Sequence, residues 1–125
     1  MRISTWAFTV LIAMVAVAYL AQATLAGQFL SGSYPALRLH QLVATGSDVL
    51  LFLAVAAGAV LRWGARGPIW PLLVALALLT ANQVQNVAGA ERWIWLHIPL
   101  GAAMLAAAVV TALACMRPRA FERRP

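Results

Sequence analysis

The chain reads as an all-α integral membrane protein: an up-down bundle of four transmembrane helices forming one domain over residues 1–125. Three observations lead there. Of the 125 residues, 64% are hydrophobic and the mean hydropathy is +0.88, against roughly 45–50% apolar residues in soluble domains. The apolar residues fall into four runs, about 5–30, 37–61, 69–87 and 93–116, each close to or above the ~20 residues that cross a hydrocarbon core. The charged residues gather at the ends of those runs, Asp48 excepted. A chain this short, with most of its length in lipid, leaves no room for a separate soluble domain, so its chemistry belongs inside the bundle or on its loops.

The first run contains Ala21-Gln22-Ala23, which has the small-x-small form of a cleavage site. Its apolar core, 6–21, reaches past the roughly 7–15 residues of a signal peptide, so a retained helix is expected. Ser31-Gly32-Ser33-Tyr34-Pro35 predicts a turn, because Gly32 and Pro35 interrupt helical geometry. The second run is long enough to cross with tilt and is closed by Arg62 to Pro68. The third carries Pro71 in its first turn, where a missing N–H costs nothing, and ends in Asn82, Gln83, Gln85 and Asn86. After Gly89-Ala90-Glu91-Arg92 comes the fourth run, and then an arginine-rich tail, 117–125, that cannot stay in lipid.

All nine basic residues are arginines, and they give a formal charge of +6. Scattered at helix ends, they orient the chain in the membrane and are not the footprint of a nucleic-acid binder. Arg2, Arg62, Arg66, Arg117, Arg119, Arg123 and Arg124 fall on one side, against Arg38 and Arg92 on the other. The positive-inside rule then predicts a multi-pass membrane protein with both termini cytoplasmic. Trp63, Trp70, Trp93 and Trp95 suit the interfacial belts. Cys115 has no partner for an internal disulfide, and neither CxxC nor CxxCH occurs.

The chemistry-bearing residues are the two histidines. Thr24-Leu25-Ala26-Gly27 near the end of the first span is echoed by Asn86-Val87-Ala88-Gly89 near the end of the third. Leu39-His40 opens the second span and Leu96-His97 the fourth, so the halves read as two hairpins in a weak parallel repeat. Both histidines then lie near the outer face at similar depth, on helices expected to stand on the bundle diagonal, roughly 11–14 Å apart. That gap suits two imidazoles reaching one iron, and haem b, one per protomer, is the ligand that fits best, since it needs a flat slot with apolar walls. Mostly narrow stripes would line the slot: Ala44 and Ser47 on the His40 face, and Gly101 with the larger Met104 on the His97 face. Arg38 and Arg92 stand at the rim where propionates would emerge. Copper or zinc held by the pair alone would lack further ligands. Pro99 either lies in the first turn of the fourth span or bends it.

Asp48 lies eight residues past His40, about 12 Å deeper at the helical rise. A carboxyl at that depth is costly; it accepts hydrogen bonds from Ser47, Thr45, Gln22 or the polar end of the third span, or it serves as a proton relay. Gln22, Gln28, Asn82, Gln83, Gln85 and Asn86 sit near the histidine level, where amides would orient the imidazoles through their second nitrogen or tie helices together. No serine or cysteine has a base placed beside it for hydrolysis, so an electron-transfer or binding role is expected rather than catalysis.

With Leu39-His40-Gln41 opening the second span, Leu96-His97-Ile98-Pro99 opening the fourth and Leu25-Ala26-Gly27-Gln28-Phe29 ending the first, nearly the whole chain resembles a family of short four-helix membrane proteins common in actinobacteria. That family looks like small b-type cytochromes with bis-histidine haem. The resemblance implies electron transfer or redox or haem sensing. With only two histidines, at most one such haem fits, where larger membrane b-type cytochromes carry two. The alternatives are a non-catalytic membrane subunit or small-molecule-binding bundle with structural histidines, and a haem-handling carrier. The expected partners are the lipid bilayer and haem; a homo-oligomer stays open, and no residue names a quinone or redox partner.

Overall fold

The computed structural model describes residues 2–117 and 120–121. Met1 and, in the tail, Pro118, Arg119, Glu122, Arg123, Arg124 and Pro125 lie outside the described residues, and with them three of the arginines that set the expected orientation. The chain is all-helical: α1 spans Arg2–Leu30, α2 Tyr34–Ala59, α3 Trp70–Ala90 and α4 Ile94–Cys115. Each is long and apolar enough to cross a membrane. At 1.5 Å per residue, the 21 residues of α3 measure about 31 Å, the thickness of a hydrocarbon core.

Each helix packs against its neighbours in the chain, and α1 also packs against α4, which closes a ring of four in which α2 and α4 stand across one diagonal. The buried positions follow the three-four spacing of a helix face. Among them are Phe8, Ile12, Val15 and Tyr19 on α1; Ser47, Leu51, Ala54 and Gly58 on α2; Leu72, Ala75, Leu78, Asn82, Gln85 and Ala88 on α3; and Met104, Ala108, Thr111 and Cys115 on α4. Gly58 lets the α2 backbone touch α3, since a Cβ there would stand 2.9 Å from Leu72 Cα. At the end of the bundle away from the histidines, the chain after α4 folds back. Phe121 stacks on Trp70 at 5.6 Å and meets Phe8 edge-on, while Trp70 Nε1 donates to the Ala120 carbonyl at 3.1 Å.

The helix ends differ from expectation in instructive ways. Pro35 does not break the second helix but lies in its first turn, where no N–H is needed. The second helix runs on past Ala59 through a π-helical turn, Val60–Gly64. The third extends to Ala90 and so takes in Gly89. Pro99 lies inside α4 and deprives the Trp95 carbonyl of its usual N–H donor.

The turns after α1 and α3 are the same turn. Gly32 N–H bonds Phe29 O and Ser33 N–H bonds Gln28 O; Arg92 N–H bonds Gly89 O and Trp93 N–H bonds Ala88 O. Both are Schellman closures with a left-handed residue at their centre: Gly32 at φ 102 and Arg92 at φ 60. Both closing bonds repeat at a spacing of 60 residues (92 − 32). At that spacing His40 corresponds to Leu100 and His97 to Leu37, so the histidines sit one helical turn apart within the repeat rather than at equivalent places.

Candidate functional site

His40 lies six residues into α2 and His97 three residues into α4. Although their helices stand across the diagonal, the ring centroids are 6.2 Å apart, with planes tilted by 56°. The two side chains therefore meet between the helices. Both are half-buried.

The second nitrogen of each ring is spoken for. His40 Nδ1 lies 2.9 Å from the Gln22 carbonyl of α1, and His97 Nδ1 lies 3.0 Å from the Gln85 carbonyl of α3. A carbonyl oxygen only accepts, so each Nδ1 carries a proton, and in the neutral imidazole that leaves the lone pair on Nε2. Outer bonds of this kind fix tautomer and ring orientation, and they make the free nitrogen a better ligand. Side-chain amides were one expected source of such bonds; the carbonyls of Gln22 and Gln85 in the preceding helices supply them instead.

Two glycines hold the His97 side of the site. A Cβ on Gly89 would stand 2.9 Å from His97 Cε1 and 3.1 Å from Nδ1, so only a glycine lets the ring lie against α3. A Cβ on Gly101 would stand 2.8 Å from Gln85 Nε2, the group that donates to the His97 carbonyl at 2.8 Å. Gly101 thus makes room for Gln85 and acts on the site through it. Gln85 Oε1 is buried with no hydrogen-bond partner among the described residues. Sequence reasoning noted Gly89 as part of an echo and missed its contact with His97.

Of the other expected site residues, Ser47 and Met104 are buried at the top of the core, Ala44 is half-buried, and Arg38 and Arg92 are exposed. On three helices burial thins at this level: beyond Tyr19 on α1, before Met104 on α4, and before Ser47 on α2 apart from Ala36, no described side chain is buried, whereas on α3 Gln85 and Ala88 remain buried beside His97. Leu39, Leu42 and Ile98, next to the histidines in the chain or on the following turn, are at least half exposed.

About two turns below His40 on α2, the Asp48 carboxylate accepts hydrogen bonds, among the described residues, from α3 alone. Asn82 Nδ2 and Gln83 Nε2 each donate to its Oδ1 at 2.7 Å, and Asn86 Nδ2 donates to Oδ2 at 3.1 Å. Tyr19 Oη donates to Asn82 Oδ1 at 3.0 Å and so ties α1 into the same network. The other groups expected to reach Asp48 bond elsewhere: Thr45 to the Gln41 carbonyl, Ser47 to the Val43 carbonyl, and Gln22 Nε2 to Ser47 Oγ.

Among the described residues no three or more His, Cys, Asp or Glu side chains form a group able to hold a metal ion. Compared with protein-family models, curated proteins and solved structures, the chain matches none.

Proposed function

We propose that this chain is a membrane haem protein of the b type, holding one haem between His40 and His97 for one-electron transfer or for redox or haem sensing. The observation that carries the reading is the imidazole pair, with both Nδ1 atoms bonded to main-chain carbonyls and both Nε2 atoms free. The ring centroids stand 6.2 Å apart, a spacing that would leave room for one metal ion between the rings, since a bond from an imidazole nitrogen to a metal is about 2 Å long. Two protein nitrogens are too few for a bare ion, but they suffice for a metal that brings its own equatorial ligands. The glycine contacts at the His97 ring also support this reading.

When bound, haem supplies reversible one-electron chemistry. The chain's own groups do the rest: His40 and His97 ligate, Gln22 O and Gln85 O hold the rings, and apolar side chains exclude water. Arg38 and Arg92 give the rim two guanidiniums for propionates. In this proposal the helices run up and down, and both termini face the cytoplasm beside the arginine-rich ends. The site then lies near the outer face.

The test is spectroscopic. Protein purified in detergent from haem-replete cells should show a sharp Soret band and split visible bands on reduction, and His40→Ala and His97→Ala should each abolish the low-spin spectrum. A colourless protein, or a spectrum indifferent to both substitutions, refutes the proposal and leaves the histidines as ties between helices.

A further inference from the structure

We propose that Gln22 and Gln85 are the positioning residues of the two imidazoles, each with two arms: its carbonyl accepts the ring Nδ1–H, and its side-chain amide fastens the helix that carries the ring. The inference deepens the haem reading above and rests on it, since it names the side chains that aim the two ligands.

Its first support is that both glutamines make the same pair of bonds. Gln22 O lies 2.9 Å from His40 Nδ1, and Gln22 Nε2 donates to Ser47 Oγ of the same helix at 3.1 Å. Gln85 O lies 3.0 Å from His97 Nδ1, and Gln85 Nε2 donates to the His97 carbonyl at 2.8 Å. The Ser47 hydroxyl spends its own proton on the Val43 carbonyl at 2.9 Å, so its oxygen is left to accept. A bond from a ring to a carbonyl of another helix lasts only while the two helices keep their separation, because a stretched or bent hydrogen bond weakens steeply. The amide arm supplies a second point of attachment, at His97 itself on α4 and seven residues past His40 on α2.

The second support is register. The turns repeat at a spacing of 60 residues (92 − 32), at which Gln22 corresponds to Asn82 and Gln85 to Leu25. The glutamines are 63 apart (85 − 22) and the histidines 57 (97 − 40). Three residues later on the helix that enters a turn, and three earlier on the helix that leaves it, are the same shift of about 4.5 Å toward that turn. Glutamine and histidine are thus displaced together, and their pairing is kept where the repeat is not.

The third support is the orphan acceptor. The group facing the His97 carbonyl must be Nε2, since a carbonyl only accepts, and this leaves Gln85 Oε1 buried with no partner among the described residues. A buried acceptor left unmet is costly, whereas an apolar side chain of the same shape leaves none. Packing between α3 and α4 is therefore served as well by methionine at this position; the bond to His97 is what the amide adds.

The experiment uses the full chain in detergent micelles with isotope-labelled histidine. Solvent exchange of each Nδ1 proton is followed by NMR without haem, the two signals being assigned with His40→Ala and His97→Ala, and the same samples are then titrated with haem. The variants are Gln22→Met and Ser47→Ala for one arm, and Gln85→Met and Gly101→Ala for the other. Gly101→Ala sets a carbon 2.8 Å from Gln85 Nε2 and so displaces the amide with the glutamine in place; each arm thus has a second variant should the first not fold. The first two variants should speed exchange at His40 about fivefold and leave His97 as in wild type, and the last two the reverse, as one lost hydrogen bond of ordinary strength allows. Haem binding should weaken about tenfold in all four, while Gln85→Met keeps the wild-type melting temperature. Unchanged exchange at the matched histidine, with a lower melting temperature, overturns the proposal and leaves the glutamines as ties between helices. Equal acceleration at both histidines from one variant also overturns it, in favour of general loosening. Absence of a low-spin spectrum in haem-titrated wild type overturns the haem reading, and is told apart because the exchange measurement contains no haem.

Discussion

Gly89→Ala probes the site by a single methyl group. The added carbon would stand 2.9 Å from His97 Cε1 and 3.1 Å from Nδ1, closer than atoms tolerate, so the imidazole must turn away from α3 and give up its bond to the Gln85 carbonyl. Overpacking of this kind costs about 1–3 kcal/mol, and the lost hydrogen bond about 1 kcal/mol more. Alanine returns ~1 kcal/mol of helix propensity, which leaves a net destabilisation of about 2 kcal/mol. Gly27, its counterpart in the sequence echo, has nothing within 4 Å of the same added carbon, so Gly27→Ala should be neutral or stabilising by up to ~1 kcal/mol. Thermal unfolding in detergent micelles separates the two, and haem titration of the same samples should show about 10–100-fold weaker binding for Gly89→Ala only, as expected when a ligand's outer bond is lost. Wild-type stability and affinity in Gly89→Ala, or equal losses in Gly27→Ala, would refute the reasoning.

Three further outcomes follow from the packing. Gly58→Ala puts a carbon 2.9 Å from Leu72 Cα and 3.0 Å from its nitrogen; backbone cannot swing aside, so α2 and α3 should separate at a cost of about 1–3 kcal/mol, read by denaturant titration in mixed micelles. Arg92→Gly removes a side chain from a residue at φ 60 and should stabilise the chain by about 1 kcal/mol; a lower melting temperature would count against strain at this turn. Phe121→Ala should cost about 1 kcal/mol through its lost contacts with Trp70 and Phe8, while Phe52→Ala, on an exposed ring, should leave the melting temperature unchanged.

Much of the fold was legible because lipid imposes a coarse rule: long apolar runs become helices, and their number follows from where polar residues interrupt them. The errors came at the ends. Pro35 was read as a breaker although the first turn of a helix accepts it, and Gly89 was placed beyond a helix that contains it. At the site, the pairing of His40 with His97 came from depth alone, and the rings do meet. What holds the rings was not legible, because every residue carries a carbonyl and nothing in the sequence marks those of Gln22 and Gln85. The polar end of the third span was rightly among the candidates for Asp48, since Asn82 and Asn86 lie four apart on one helical face. That Gln85 turns instead to the His97 carbonyl depends on how closely α3 approaches α4 at Gly101, a distance that no pattern of residue types encodes.

The shared turns and unshared histidines bear on any attempt to rebuild this chain from identical halves. Two copies of the α1 and α2 segment would keep both turn closures and set two histidines at the deeper level. Two copies of the α3 and α4 segment would set both one turn shallower. Only the unlike halves stagger the rings. The ring of His40 is fastened to α1, whereas that of His97 is fastened to α3 and pressed against Gly89, so a flat molecule gripped between them would meet two unlike faces.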